Sequence, residues 1–134
     1  MSLTVSPDLL SAAERGEVSD AEFVDCVRRS LPYAWSVVSQ VAADLRGDGG
    51  ARLADFADHA VPPPGEAERG QLLRALASDA IRGALQRHFG VKLAFQNCHR
   101  VAAFKLSAVG GETYQDFISP VAQIRNQSPE LRDC

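Results

Sequence analysis

The spacing of apolar residues changes at Gly90, and this change is the strongest constraint on the fold. From Leu72 to Leu85 the apolar residues recur at the three- and four-residue spacing of one helix face. From Val91 to Phe95 apolar and more polar residues alternate, which is typical of a β-strand. A second apolar run follows the polar segment 97–100. We therefore expect one long amphipathic helix over about 66–88, followed by a β-hairpin.

Helix start signals divide the first half of the chain into short helices. Ser6 precedes Pro7, and Pro is favoured at the first helical position because its missing N–H needs no partner there. Ser19 and Glu22 fit a capping box, in which the two residues satisfy each other's backbone amides. The resulting predictions are helices over 7–15 and from 20 to near 30, a third helix from Pro32 to Gly47, a short helical stretch over 51–59, one or two helical turns over 112–118, and little periodicity over 121–134.

The predicted fold class is α+β and mostly helical, with N-terminal short helices, one long helix, a β-hairpin and an irregular C-terminal tail. A chain of 134 residues is too short for a second full-sized domain. We expect a single domain over 1–134, with a helical part (1–60), a Pro-rich connector (61–65) and a helix-plus-hairpin part (66–134). A two-stranded hairpin alone is marginal in water, so this hairpin must pack on a helix, pair with another strand, or both.

The charges are unevenly distributed along the chain. The net charge is −3, but residues 1–25 hold six acids and one Arg, whereas residues 65–105 hold three acids and seven bases. The mild overall acidity disfavours sequence-independent binding to nucleic acid or to an anionic membrane. No apolar run approaches the roughly 18 residues that cross a bilayer. We expect a cytoplasmic protein that has no nucleic-acid or membrane partner and that forms a homodimer through the hairpin edge.

The densest polar cluster in the second half lies at the predicted hairpin tip, from Gln96 to Arg100. The sequence has none of the common catalytic signatures such as H-E-x-x-H, a Walker A loop or G-x-S-x-G. At the tip, the histidine is a candidate acid or base and the amide is a candidate donor to an oxyanion. The guanidinium is a candidate anion clamp. The candidate catalytic residues are Asn97, His99 and Arg100, although a surface turn explains the same residues without any chemistry.

A second candidate set lies on the predicted long helix. Gln71 and Arg74 are placed to face a cleft between helix and hairpin, or water, and Arg87 and His88 close the helix near the hairpin. A solvated helix face and a favourable contact with the helix dipole explain the same residues structurally. We take these four as candidate substrate-binding residues. Only three histidines occur, 29 and 11 residues apart, so we expect no metal site, and we expect no cofactor.

Several segments together resemble a family of small biosynthetic proteins. They are Val61–Pro64, Arg69–Arg82, Arg87–Arg100 and the tail Asn126–Cys134. In length and general composition the whole chain resembles the stand-alone lysinoalanine-forming proteins of cinnamycin- and duramycin-type lanthipeptide pathways.

This resemblance implies that a lysine amine of a modified precursor peptide adds to a dehydroalanine to close a ring. Such a reaction needs a positioned peptide and a stabilised enolate, and it needs no metal or redox cofactor. On this hypothesis, Arg74, Arg87 or Arg100 orients a substrate carboxylate, and Asn97 and His99 donate to the enolate.

Two other classes of function remain open at this point. The chain is also consistent with a non-catalytic partner or chaperone for a biosynthetic enzyme or its peptide substrate. A helix-turn-helix regulator is disfavoured, because Arg28 and Arg29 face six nearby acids and do not form a basic recognition helix.

Overall fold

The computed structural model describes residues 2–47, 55–97 and 99–125. In chain order, the helices and strands of these residues are α1 (Pro7–Glu14), α2 (Asp20–Ser30), α3 (Pro32–Arg46), β1 (Phe56–His59), α4 (Glu66–Leu76), α5 (Asp79–Phe89), β2 (Lys92–Gln96), β3 (Arg100–Phe104), a 3-10 turn (Leu106–Ala108), α6 (Glu112–Phe117) and α7 (Pro120–Arg125). The predicted fold class, α+β and mostly helical, is confirmed.

The predicted hairpin is formed by β2 and β3, and it both packs on helices and pairs with a further strand. The sheet order is β1-β3-β2, with β3 antiparallel to both neighbours. Phe104 of β3 lies opposite Phe56 on one side and Lys92 on the other. Strand β2 is therefore at one edge of the sheet, directly after α5.

Helices α3, α4 and α5 cover one face of the sheet and form the larger hydrophobic core. The side chains of Leu93, Val101 and Ala103 point into this core from the strands, because alternate residues of a strand face opposite sides. Fully buried members are Leu31, just before α3, and the helix residues Val38, Val41, Leu72, Ile81 and Leu85.

Helix α6 covers the other face of the sheet around Phe104. The Phe104 ring stacks on Phe56 with the ring centroids 5.1 Å apart, and it meets Tyr114 edge-on at the same distance. Phe117 and the small residue Ala102 complete this second cluster. The sheet is thus packed on both faces, by three helices on one and by α6 on the other.

The predicted helix starts in the first half are confirmed. The Ser6 hydroxyl accepts from the Leu9 N–H at the start of α1. Ser19 and Glu22 form the predicted capping box, with hydrogen bonds in both directions. At the other end of the helical region, Gly90 ends α5 in the left-handed conformation (φ 68°), which glycine adopts without strain.

The predicted long helix over 66–88 is wrong, because the structure has two helices there. Helix α4 ends at Leu76 and α5 begins at Asp79, after Ser78 has capped it by accepting from the Ile81 N–H. The last buried residue of α4 is Leu76, and the first buried residue of α5 is Ile81, five residues later. Ala80, four residues after Leu76, is exposed. An uninterrupted helix would bring Ala80 to the core in place of Ile81, so the break lets a second helix face the core in its own register.

Two other predicted segments differ from the structure. The predicted helical stretch over 51–59 contains strand β1 from Phe56 onward, and its first four residues lie outside the described ones. The irregular tail predicted from residue 121 is wrong for its first residues, which belong to α7, where the Ser119 hydroxyl accepts from the Ala122 N–H. Residues 126–134 of the predicted tail lie outside the described part of the chain. Within the described residues, no helix has the length and apolarity needed to cross a membrane.

Candidate functional site

Arg100, the predicted anion clamp, is occupied by side chains of its own sheet and of α6. Its Nε lies 2.9 Å from the Asp58 carboxylate on β1, and its Nη1 donates to the Gln96 side-chain oxygen at 3.2 Å. The guanidinium also lies over the Phe117 ring, 4.9 Å from the centroid. Since the side chain is only 27% exposed, Arg100 acts here as a link between β1, β2 and α6.

Asn97 and His99 lie at the hairpin tip as predicted, between β2 and β3. Asn97 has a positive φ of 56°, and its amide oxygen accepts from Gln123 Nε2 of α7 at 2.6 Å. Its backbone N–H donates to the Gln123 side-chain oxygen. His99 is buried. Cys98, between them, lies outside the described residues.

The four predicted substrate-binding residues are dispersed over the molecule. Gln71 caps α3, because its side-chain oxygen accepts from the backbone N–H groups of Tyr33 and Ala34 at 2.7 and 3.3 Å. His88 is exposed and packs against Trp35 and Phe89, with ring centroids 5.4 and 4.7 Å away. The other two are arginines: Arg74 is half-buried on α4, and Arg87 forms an ion pair described next.

The ion pair of Arg87 and Asp20 joins α5 to the start of α2. Arg87 Nε and Nη2 donate to the two Asp20 carboxylate oxygens at 2.6 and 3.1 Å. This hydrogen bonding holds the pKa of Asp20 below its ordinary value of 3.8 and raises the pKa of Arg87. The pair thus connects the acidic N-terminal helices to the cationic second half, and both side chains are well exposed.

We predict that Arg87→Gln returns the pKa of Asp20 towards 3.8. A lowered pKa in the folded state means that the pair stabilises the fold above the ordinary pKa, and that this contribution is lost as the pH falls through the lowered pKa. The measurement is an NMR titration of the Asp20 side-chain carbon in both proteins. Asp25, whose pKa is lowered by a hydrogen bond from Arg28, is the internal control and should titrate alike in both. Identical Asp20 curves would contradict the prediction.

A groove of about 330 Å³ runs along the edge of β2 that faces away from β3, and it combines apolar, aromatic and cationic side chains. Residues of α4, α5, β2 and α6 line the groove, because strand β2 lies between the α4–α5 turn and helix α6. The groove residues are Leu76, Arg82, Lys92, Leu93, Ala94, Phe95, Tyr114 and Ile118.

Two cationic side chains line this groove, and they differ in their ion pairing. Arg82 is fixed, since its Nη1 donates to the Leu76 carbonyl at 2.8 Å and its Nη2 lies 2.6 Å from an Asp79 oxygen. Lys92 is half-buried on the first residue of β2. The groove therefore presents one cation, Arg82, that is already paired with a carboxylate. The other is Lys92, and no carboxylate of the described residues lies within 4.0 Å of its ammonium group.

The edge of β2 is partly covered by glutamine side chains. Leu93 donates its N–H to the Gln86 side-chain oxygen at 3.0 Å, so this N–H points away from β3. In an antiparallel ladder the hydrogen-bonding direction alternates along the strand, so the N–H and C=O of Phe95 also point outward. Beyond Phe95, the Asn97 N–H is taken by Gln123. Phe95 thus offers its backbone to the groove between two capped positions.

A family model described as "NucS shadow ORF", with the label KH_NucS_shadow, matches residues 1–134. The chain belongs to the NucS shadow ORF family. No curated protein and no solved structure matches the chain.

Membership of the NucS shadow ORF family overturns the resemblance drawn from the sequence. The family is unrelated to the lysinoalanine-forming proteins, so the predicted membership and the predicted lanthipeptide activity are wrong. The alternative, a partner or chaperone for a biosynthetic enzyme or its peptide, has no support either. The resemblance failed because it rested on chain length and on an arginine- and alanine-rich composition, which proteins of many families share.

Sequence reasoning missed most of the groove residues of this NucS shadow ORF protein. Arg82 was not among the candidate substrate-binding residues, and Lys92 and Phe95 lie in the predicted strand without any assigned role. A usable signal was present at Ser78-Asp79, because Ser before a first-turn Asp is a helix start. It would have placed a turn beside the edge strand, but not the strand order that forms the groove.

Proposed function

We propose that this protein binds a short segment of single-stranded nucleic acid in the groove along β2. The observation that carries the proposal is the composition of that groove: Lys92 for a phosphate, Phe95 as an aromatic side chain, and outward-pointing backbone groups on the same strand. Single-stranded nucleic acids bind where cations follow the backbone and aromatic side chains stack on the bases.

The family label and the turn between α4 and α5 limit how a nucleic acid can be held in the groove. The family label contains the letters KH, the name of a nucleic-acid-binding module whose GXXG loop clamps four nucleotides. In the present chain β1 leads to β2 through two helices, α4 and α5, and the turn between them borders the groove. That turn, Ala77–Ser78, contains no glycine. The proposed binding therefore depends on side chains and on the edge strand, without a glycine clamp.

The glutamine caps favour a nucleotide over a peptide strand as the occupant. A peptide that extends a sheet needs a row of free N–H and C=O groups on the edge strand. Here the N–H groups of Leu93 and Asn97 are already taken by Gln86 and Gln123. A single base can meet the remaining backbone groups of Phe95, whereas an added strand of several residues cannot pair along the edge.

The uneven charge distribution accommodates a polyanion despite the net charge of −3. Residues 65–105, which include both cations of the groove, carry a formal charge of +4, whereas residues 1–25 carry −5. The sequence-based expectation of no nucleic-acid partner used the average charge alone. Exposed charges more than about 10 Å apart are largely screened at moderate salt, so the local charge at the groove has the larger effect.

The test compares the only two lysines of the chain. Fluorescence anisotropy with labelled eight-nucleotide RNA, the same sequence in DNA, and the corresponding duplex measures binding at low salt. Lys92→Ala should weaken single-strand binding about fivefold, the effect of one exposed charge interaction of about 1 kcal/mol. Lys105→Ala, which removes the other lysine after β3, is the matched control and should bind as the wild type does.

A second variant tests the aromatic contact. Phe95→Leu keeps an apolar side chain against the core but removes the ring, and stacking is worth about 1–3 kcal/mol per base. We expect at least a fivefold loss of single-strand affinity. The proposal is abandoned if the duplex binds as well as the single strands, or if Lys92→Ala and Lys105→Ala behave alike. The RNA and DNA arms decide which single strand is preferred.

A cytoplasmic location is also part of this proposal. The homodimer through the hairpin edge stays a prediction from the sequence and is not part of it, because the proposed groove occupies that edge.

A further inference from the structure

We propose that Asp79 is a built-in competitor that keeps phosphate away from Arg82 and so sets the affinity of the groove. The inference rests on the proposed function, because it concerns how the same groove treats the phosphates of a bound strand. It assigns a specificity-determining role to a residue outside the groove lining.

The first support is the state of Arg82. Its guanidinium is held by the Asp79 carboxylate at 2.6 Å and by the Leu76 carbonyl at 2.8 Å. The Arg82 side chain is 30% exposed, whereas that of Asp79 is 93% exposed. A phosphate that approaches Arg82 from the groove must therefore compete with a carboxylate that is already in place and free to stay solvated.

The second support is the position of Asp79 in the first turn of α5. The free N–H groups and the dipole at a helix start attract anions. Ser78 already accepts from one of these N–H groups, and Asp79 adds a negative charge beside the others. One carboxylate thus reduces both ways in which this turn would hold a phosphate, through Arg82 and through the helix start.

As a consequence, the groove contacts a base of the bound strand and few of its phosphates. With Arg82 neutralised, Lys92 is the remaining cation of the groove. The affinity for a single strand should then depend weakly on salt, with a log–log slope near −0.7, the value for one phosphate contact. A protein that clamped several phosphates at this turn would show a much steeper slope.

The experiment removes the charge and keeps the shape. Asp79→Asn should bind the eight-nucleotide single strand about fivefold more tightly at low salt, and its slope should steepen by about 0.7, because Arg82 becomes available to a second phosphate. Asp79→Glu retains the charge and should stay close to the wild type. Asp8→Asn is the matched control, since Asp8 is also an exposed first-turn acid after a capping serine, on α1. Circular dichroism confirms that each variant is folded.

The outcomes separate this inference from the proposed function. If the wild type binds, Lys92→Ala weakens binding, and Asp79→Asn changes neither affinity nor slope, Asp79 is not a competitor while the proposed function stands. Binding by Asp79→Asn with none by the wild type would overturn the proposed function, while still showing that Asp79 keeps phosphate out of the groove. If neither protein binds any single strand, the proposed function and the inference both fall.

Discussion

Phe104→Ala should lower the free energy of unfolding by about 3–5 kcal/mol, the usual range for removing a fully buried aromatic side chain. Phe104 is 0% exposed and lies on the central strand of the sheet. Its ring contacts Phe56, Tyr114 and Phe117, so the cavity would open between the sheet and α6. Small domains are stable by only about 5–15 kcal/mol, so the loss is a large share of the total.

Urea unfolding followed by circular dichroism measures this effect. Leu106→Ala is the control, because Leu106 lies two residues further on and is 64% exposed, and it should change stability by less than about 0.5 kcal/mol. If Phe104→Ala lost less than about 1 kcal/mol, the second core between the sheet and α6 would not form as described. The unfolding slope should stay the same in both variants, because the surface exposed on unfolding hardly changes.

The elements that were predictable from the sequence are those whose signal is local. The capping box of Ser19 and Glu22 and the alternation over 91–96 each depend on a few neighbouring residues, and both are confirmed. Strand β1 was missed because its four residues, Phe56–His59, contain two polar side chains and no clear alternation. Its conformation is decided by pairing with β3, which is about 45 residues further along the chain.

The candidate site was less predictable, because side-chain chemistry alone does not tell which groups are already engaged. Asn97, His99 and Arg100 are close in sequence, but Arg100 is taken by Asp58, a residue of a strand that the sequence did not reveal. The groove depends on the strand order, which places β2 at an edge. The break between α4 and α5 brings Arg82 to that edge, and no residue pattern encodes this contact directly.

Gln71→Leu should lower the free energy of unfolding by about 1–3 kcal/mol, because it leaves two backbone donors at the start of α3 without their acceptor. Helix α3 begins after Leu31, which has no side chain that can cap it, so Gln71 of α4 supplies the acceptor from 38 residues away in the chain. Tyr33 and Ala34 donate to it, and Ala34 is buried, so water replaces the lost bonds poorly. Gln71 was proposed from the sequence as a substrate-binding residue, which would leave stability unaffected.

The two roles of Gln71 give different results in hydrogen exchange as well as in unfolding. In the wild type the amides of Tyr33 and Ala34 should exchange slowly, and in Gln71→Leu they should exchange faster by more than the global loss of stability explains. Gln71→Glu keeps an acceptor and should retain most of the protection. Gln40→Leu makes the same replacement on the exposed face of α3 and should leave both amides protected. Unchanged stability and exchange in Gln71→Leu would mean that α3 does not need this cap. In the described fold it does, because the packing of α3 against β1, β3 and α4 fixes where its first turn must begin.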